Sequence, residues 1–454
     1  MNLNSLAFDF TLSRGVIALI GVIAVASLDL AGRLKHRNEH YLFACVLGTV
    51  LSVGLIRVVD TLLSPGIREN AHSAALGILL IAVSWRMLFG PWEPKTKATV
   101  LGTFVFWIAL HVLWKESPAD RFAHALAIGV ALVPAVIWCA LFLEYHRERL
   151  SAVIMMFFAG MASTVPILFY DTLVRNGIEF QFFLLRIVPE SFSATTESFV
   201  SGQITGISGV RGTLLSVFLS FVFVGLIEET SKFWVLKRSG QRVFSSIDEV
   251  MELAIIVAIG FAFAENIANP GYFLGFVKEY LLIPADKDWM GFFANVLGRS
   301  ILTSMVHIVA TGVFGYFLGV AIFAEPYLEE GKRTGKRHFL AEGIHSLFRV
   351  QTKTVFQVEM VILGIVSATL LHTFCNFMVT LPEILPGNPR TLGDLMGSAP
   401  DSVLRYVSLL LFPSLLYVVG GFWLLTGLFA SRENAKERGR RISTEAFVTV
   451  EGVV

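Results

Sequence analysis

The sequence predicts an all-α membrane protein, a polytopic bundle of transmembrane helices. Of its 454 residues, 55% are hydrophobic and only 16% are charged, and the mean hydropathy is +0.69. The apolar residues are concentrated in runs of about 20, which is the length needed to cross a bilayer. Because hydrocarbon offers no hydrogen-bond partners, a spanning segment must bond its own backbone, and these runs are therefore predicted to be helices.

About eleven runs meet this criterion. They lie at 15–32, 41–56, 73–91, 98–114, 121–143, 151–170, 213–236, 250–268, 300–323, 358–380 and 405–429. The first run has no basic stretch before it and no small-residue cleavage site after it. We interpret it as a retained span rather than a signal peptide.

Lys and Arg residues indicate the orientation of the bundle. They are concentrated in alternate loops, for example 33–37, 332–337 and the tail 432–441. Positively charged loops face the cytoplasm, so an odd number of spans is expected, with the N-terminus outside and the C-terminus cytoplasmic. The net charge of +1 gives no reason to expect nucleic acid as a partner. The lipid bilayer is the expected environment.

The chain divides into four regions by its ionisable residues. Residues 1–171 hold six spans with few charges, and their role is not indicated. Residues 172–212 are rich in Ser, Thr and Gly and are predicted to be an extracytoplasmic loop or interfacial segment. Residues 213–380 hold four spans with several ionisable groups, and 381–454 hold the last span and a basic tail. No internal repeat is evident, which counts against many transporter folds.

The seventh run carries two adjacent carboxylates and a lysine, Glu228, Glu229 and Lys232. An ionisable residue at the centre of a membrane costs about 2.5–3.5 kcal/mol on insertion scales, so such residues are usually functional or paired. Glu228 and Lys232 are four residues apart and share a helix face. Glu229 is rotated by about 100° from its neighbour. The group is either a general base with its balancing charges or an ion pair at the end of a span.

The eighth run carries Glu265 in an otherwise apolar stretch. A lone carboxylate there needs a cation, a metal ion or a shared proton. Glu228 is close to the cytoplasmic end of its run, whereas Glu265 is close to the outer end of the next. A shared site therefore predicts a long, kinked eighth helix that continues past Pro270 to about residue 280, which would move Glu265 towards the middle.

The ninth and tenth runs carry histidines. Arg299, Thr303, His307 and Thr311 recur every four residues and form a polar stripe on one helix face. In the tenth run, His372 and Asn376 lie one turn apart. This pair suits a metal ligand or base that lies beside an oxyanion donor. It equally suits hydrogen bonding between helices.

Carboxylates and imidazoles on four consecutive spans are difficult to explain by packing alone. Metal-assisted hydrolysis needs nitrogen and oxygen ligands with a nearby base. Metal-free hydrolysis needs a carboxylate base and an oxyanion donor. The residues of this sequence suit both the metal-assisted and the metal-free reaction.

These motifs resemble the PrsW family of intramembrane proteases, which is related to the CAAX prenyl endopeptidase superfamily. The family pattern has EExxK on one span, FxxxE on the next, and two later spans with histidines. Residues 228–232 and 261–265 match the first two motifs, and the runs around His307 and His372 resemble the others. One departure is Ser304, where the family has Phe.

The resemblance implies a membrane-embedded endopeptidase in the plasma (inner) membrane that cleaves membrane-protein or peptide substrates. Glu228 and Glu229 would be catalytic, with Lys232 and Asn376 assisting. Glu265, His307 and His372 would bind a metal ion such as Zn²⁺ or orient water. The alternatives are a proton-coupled transporter, because intramembrane Glu and His also build proton relays, and a non-catalytic membrane scaffold.

Overall fold

The computed structural model describes residues 41–62, 71–115, 117–143, 149–175, 180–182, 185–187, 202–204, 210–269, 271–283, 286–333, 335, 338–385 and 387–437. Most of these residues are helical, in agreement with the predicted fold class. The first thirteen described helices are α1 (Tyr41–Leu62), α2 (Ala71–Leu88), α3 (Pro94–Lys115), α4 (Pro118–Leu143), α5 (Leu150–Ala162), α6 (Val165–Arg175), α7 (Val210–Gly240), α8 (Ile247–Ala268), α9 (Phe273–Phe276), α10 (Trp289–Ile322), α11 (Ala324–Arg333), α12 (Phe339–Phe348) and α13 (Thr352–Ile384).

The last part of the chain forms shorter helices that are separated by turns. Its helices are α14 (Leu392–Leu395), α15 (Leu411–Ser414) and α16 (Gly421–Glu437), with a 3₁₀ turn at Val403–Tyr406 and a π-helical turn at Leu415–Gly420. The described part of 172–212 also holds three short strands, Phe180–Phe182, Leu185–Ile187 and Gly202–Ile204. They pair antiparallel in chain order, so the predicted loop contains a small sheet.

Seven helical stretches among the described residues are long and apolar enough to cross a membrane. They are Tyr41–Val59, Pro94–Leu113, Asp120–Leu143, Leu150–Tyr170, Trp289–Ile322, Thr352–Pro382 and Leu411–Ala430. The protein is therefore a multi-pass membrane protein. The predicted run 15–32 lies outside the described residues, and 73–91 forms a shorter apolar helix. The count of eleven spans and the orientation stay predictions.

Helix α8 lies at the centre of the bundle, and every residue from Val250 to Ala264 is buried. The approach of α5 to α8 depends on two glycines. A Cβ on Gly160 would lie 2.1 Å from the carbonyl oxygen of Val257, and one on Gly260 would lie 2.1 Å from that of Phe157. The two backbones are therefore in direct contact, as small residues permit between membrane helices.

The sequence around α8 explains where the helix begins and ends. Ser246 caps its N-terminus by accepting a hydrogen bond from the Glu249 amide at 3.1 Å. At the other end, Asn269 is extended (φ −82°, ψ 118°), as expected for a residue before proline. The prediction of a helix continuing past Pro270 is therefore wrong. The described residues beyond it form α9 and a π-helical turn, Val277–Leu282.

Helices α10 and α13 pack closely against α8 and α7. Gly315 of α10 meets α8 so closely that a Cβ would lie 2.6 Å from the Ala254 side chain. A Cβ on Gly225 of α7 would lie 3.2 Å from the Thr373 hydroxyl of α13. Close packing of α7, α8, α10 and α13 brings their ionisable side chains together.

The glycine contact between α5 and α8 yields a stability prediction. We expect Gly160→Ala to lower the free energy of unfolding by about 1–3 kcal/mol, because the added methyl overlaps a backbone carbonyl. Gly129→Ala on α4 is the matched control, since nothing lies within 4 Å of its Cβ position and alanine is the better helix former. Thermal unfolding in detergent micelles measures both. Equal melting temperatures would contradict the close contact.

Candidate active site in the helix bundle

A lysine ammonium with no exposure to solvent lies at the centre of the site. Nζ of Lys232 donates to Oε1 of Glu229 at 2.7 Å and contacts Nδ1 of His307 at 2.9 Å. Oε2 of Glu228 is 3.8 Å away, and the Phe261 ring lies 4.0 Å from Nζ. Burying a cation is costly unless it is paired, and two carboxylates from the same helix supply the opposite charge.

Both carboxylate oxygens of Glu229 have hydrogen-bond partners. Its Oε1 atom accepts from Lys232 and lies 3.0 Å from Nδ1 of His372. Its Oε2 atom accepts from the Thr311 hydroxyl at 3.1 Å. Helices α7, α10 and α13 therefore meet at one carboxylate, which is 1% exposed.

Glu228 is in a different position. Its Oε2 atom is buried and has no hydrogen-bond partner among the described residues. The nearest basic groups are the His372 imidazole, with Nδ1 at 3.6 Å, and the Lys232 ammonium, with Nζ at 3.8 Å. Buried polar atoms are nearly always bonded, and a water, a substrate group or a metal ion would each be a suitable partner for this oxygen.

His307 connects the lysine to the other carboxylate. Its Nδ1 atom faces Lys232, and its Nε2 atom lies 3.0 Å from Oε2 of Glu265. A protonated lysine only donates, so Nδ1 accepts and the ring proton is on Nε2, which donates to Glu265. The His307 and His372 rings meet edge to face, with 4.8 Å between their centres.

Glu265 is held from its other side by Arg299. Nη2 of Arg299 lies 3.4 Å from Oε1 of Glu265, and its Nε donates to Oδ1 of Asn266 at 2.7 Å. The guanidinium group also stacks 3.0 Å above the Tyr272 ring. The stripe predicted on α10 therefore faces the site.

These side chains surround a cavity of about 620 Å³. We call it the main cavity. Its walls include Glu228, Glu265, His307, His372 and Asn376, while Glu229 and Lys232 lie behind the wall. Glu228 and Glu265 therefore share one cavity without the predicted long helix.

The N-terminal helices contribute residues that the sequence analysis did not identify. Asp120 and His124 of α4 line the main cavity with Lys278 of the π-helical turn. Nζ of Lys278 lies 2.6 Å from Oδ1 of Asp120. The signal in the sequence was the i, i+4 spacing of Asp120 and His124 at the start of an apolar run.

The comparisons with known proteins agree with this geometry. The family model described as PrsW family intramembrane metalloprotease matches residues 148–393, more than half of the chain. The chain belongs to the PrsW family. No curated protein and no solved structure matches it.

The PrsW match includes α5 to α13, and so every helix that carries an ionisable group of the central network. Helices α1 to α4 lie outside it. Membership implies a membrane-embedded protease that acts on membrane proteins, and the family description implies a metal ion.

The residues of this PrsW protein fit a metal ion. Glu228, Glu229, His307 and His372 each offer a ligand atom, and the four atoms lie within 4.8 Å of one another. Two imidazoles and a carboxylate are a ligand set that zinc takes in catalytic sites. The unpartnered oxygen of Glu228 supports this fit. Glu265 is not in the compact group, and the prediction that it is itself a ligand stays a prediction.

The buried lysine yields a prediction about stability. We expect Lys232→Met to lower the free energy of unfolding by about 3–5 kcal/mol, because it leaves buried carboxylates without their counter-charge. Glu229→Gln in the same chain should restore part of the loss. Thermal unfolding in detergent gives both values.

Lys353→Met is the control for this prediction, because Lys353 pairs with Glu325 at 2.7 Å but both side chains are exposed. Exposed pairs contribute little to stability. A Lys232→Met protein as stable as this control would contradict the role of the ammonium.

Proposed function

We propose that the protein hydrolyses peptide bonds of membrane-associated proteins inside the bilayer, with Glu228 as the general base. One observation carries the proposal. Glu228 lines the main cavity and has a buried Oε2 atom without a hydrogen-bond partner among the described residues, while the neighbouring Glu229 is held by Lys232, Thr311 and His372. A base must be within reach of the water that it deprotonates.

The proposed reaction uses the groups around this oxygen. Water in the main cavity gives its proton to Glu228 and attacks the peptide carbonyl carbon. The Glu228 carboxyl group then passes the proton to the departing amine. Asn376, which lines the same cavity, donates a hydrogen bond to the oxygen that gains negative charge. Lys232 keeps the total charge balanced throughout.

A metal ion, when bound, would polarise the carbonyl and lower the pKa of its bound water. His307, His372 and Glu229 would hold it, because Glu228 is the proposed base. Glu265 would then orient His307 through the Nε2 hydrogen bond, as carboxylates do for metal-bound histidines, and the Lys232 ammonium would be displaced from Nδ1 of His307 by the metal ion. Location in the plasma membrane, with the C-terminus cytoplasmic, is part of the same proposal.

The two glutamates should respond differently to substitution. We expect Glu228→Gln to reduce cleavage by about 10²–10⁴-fold with a smaller loss of stability than Glu229→Gln, because Oε2 gives up no hydrogen bond. Glu229→Gln should reduce both cleavage and stability. The assay uses protein in liposomes with a library of single-span membrane peptides, and mass spectrometry identifies the products.

The control variant is Glu279→Gln, which removes an exposed carboxylate on the π-helical turn. It should cleave as the wild type does. Normal cleavage by Glu228→Gln would reject Glu228 as the base. Absence of cleavage by the wild type, together with solute uptake into the liposomes, would favour a transporter. Absence of both would favour a scaffold.

Metal content tests the ligand set. We expect near-stoichiometric zinc in the purified wild type and its loss from both His307→Ala and His372→Ala, because each removes a nitrogen ligand. His345→Ala is the control, since this histidine is exposed on α12. Elemental analysis of detergent-solubilised protein gives the result. An active wild type without metal would instead support a metal-free reaction, with both histidines polarising the carbonyl.

A further inference from the structure

A second, smaller cavity lies beside the main cavity. Its volume is about 160 Å³, and we call it the apolar pocket. The two cavities share four wall residues, Val112, His124, Leu168 and Ala268. The apolar pocket is therefore adjacent to the main cavity.

The chemistry of this pocket excludes a polar occupant. Its lining is apolar except for His124, at the junction, and Thr164. The Thr164 hydroxyl donates to the Met161 carbonyl at 2.7 Å and is satisfied within its own turn. An apolar cavity of about 150 Å³ stays dry and accepts a benzene ring. The apolar pocket is thus large enough for one aromatic or branched aliphatic side chain.

The pocket begins beside the central network. Ala264 and Ala268 line it, and they flank Glu265 on α8. The pocket is thus within one helical turn of the carboxylate that bonds His307, a distance of about 5 Å along the axis. A peptide bound in the main cavity beside Glu265 therefore lies next to this pocket.

Helices outside the family match form much of the pocket. Ile108 and Ala109 come from α3 and Ile128 comes from α4, whereas the match begins at residue 148. The matched region therefore supplies the ionisable groups, and α3 and α4 supply one apolar wall beside them.

We propose that the apolar pocket binds one large apolar side chain of the substrate next to the cleaved bond, and that α3 and α4 thereby determine sequence preference. This inference rests on the proposed proteolytic function. The wall residues that the pocket shares with the main cavity favour a side chain of the peptide in that cavity as its occupant.

The experiment compares Ala109→Phe with wild type on membrane peptides that differ at one position near the cleaved bond. Wild type should prefer Phe or Leu over Ala at that position. Because the new ring fills the pocket, Ala109→Phe should lower kcat/KM for the Phe peptide by at least about tenfold and leave the Ala peptide unchanged. Ile128→Ala, which enlarges the pocket, should shift the preference towards Trp.

Ala125→Phe is the matched control, because Ala125 is on α4, is exposed, and does not line the pocket.

A second experiment detects binding without requiring peptide cleavage. In the Glu228→Gln background, a benzophenone side chain at the selective position of the peptide should cross-link to α3 or α4.

The possible results separate the two proposals. If wild type cleaves but Ala109→Phe has the preference of Ala125→Phe, the pocket assignment is overturned and the protease assignment stands. If wild type cleaves no peptide, both are overturned. If a photoreactive phospholipid labels the pocket and the peptide does not, the occupant is a lipid chain and the subsite is rejected.

Discussion

The site depends on one interaction, the pairing of the buried Lys232 ammonium with two glutamates of its own helix. A cation without access to water must have its charge balanced nearby, and Glu229 at 2.7 Å supplies most of that balance. The same ammonium faces Nδ1 of His307 and so determines which ring nitrogen carries the proton. His372 and Thr311 bond the same glutamate. Three helices are thereby held in one arrangement by a single charge.

Adjacent glutamates have separate positions because of helix geometry. Consecutive residues point about 100° apart on a helix, so both cannot face the same neighbours. Glu229 turns towards α10 and α13, where its oxygens are occupied. Glu228 turns to the main cavity and keeps an oxygen without a partner among the described residues. One carboxylate is thus a fixed anion, and the other is available to water.

The packing of small residues brings these groups within reach. Gly160 and Gly260 allow α5 and α8 to touch along their backbones, and Gly315 does the same for α10. Membrane helices gain little from apolar burial against each other, so close backbone approach is a main source of their association. Buried α8 then serves as the axis around which α7, α10 and α13 present their polar faces. The N-terminal helices α3 and α4 complete the cavity walls.

The sequence by itself determined the helical class, the positions of most helices and the identity of the ionisable residues. Hydrophobic length and the cost of intramembrane charge are local properties, and i, i+4 spacing places residues such as Arg299 and His307 on one face. Only the tertiary structure decided the rest. The hydrogen bonds that occupy the oxygens of Glu229 come from side chains of α10 and α13, and Glu265 is held by Arg299 from another helix. The shared cavity depends on how α8 packs against distant segments. These contacts join residues far apart in the chain, and no local pattern encodes them.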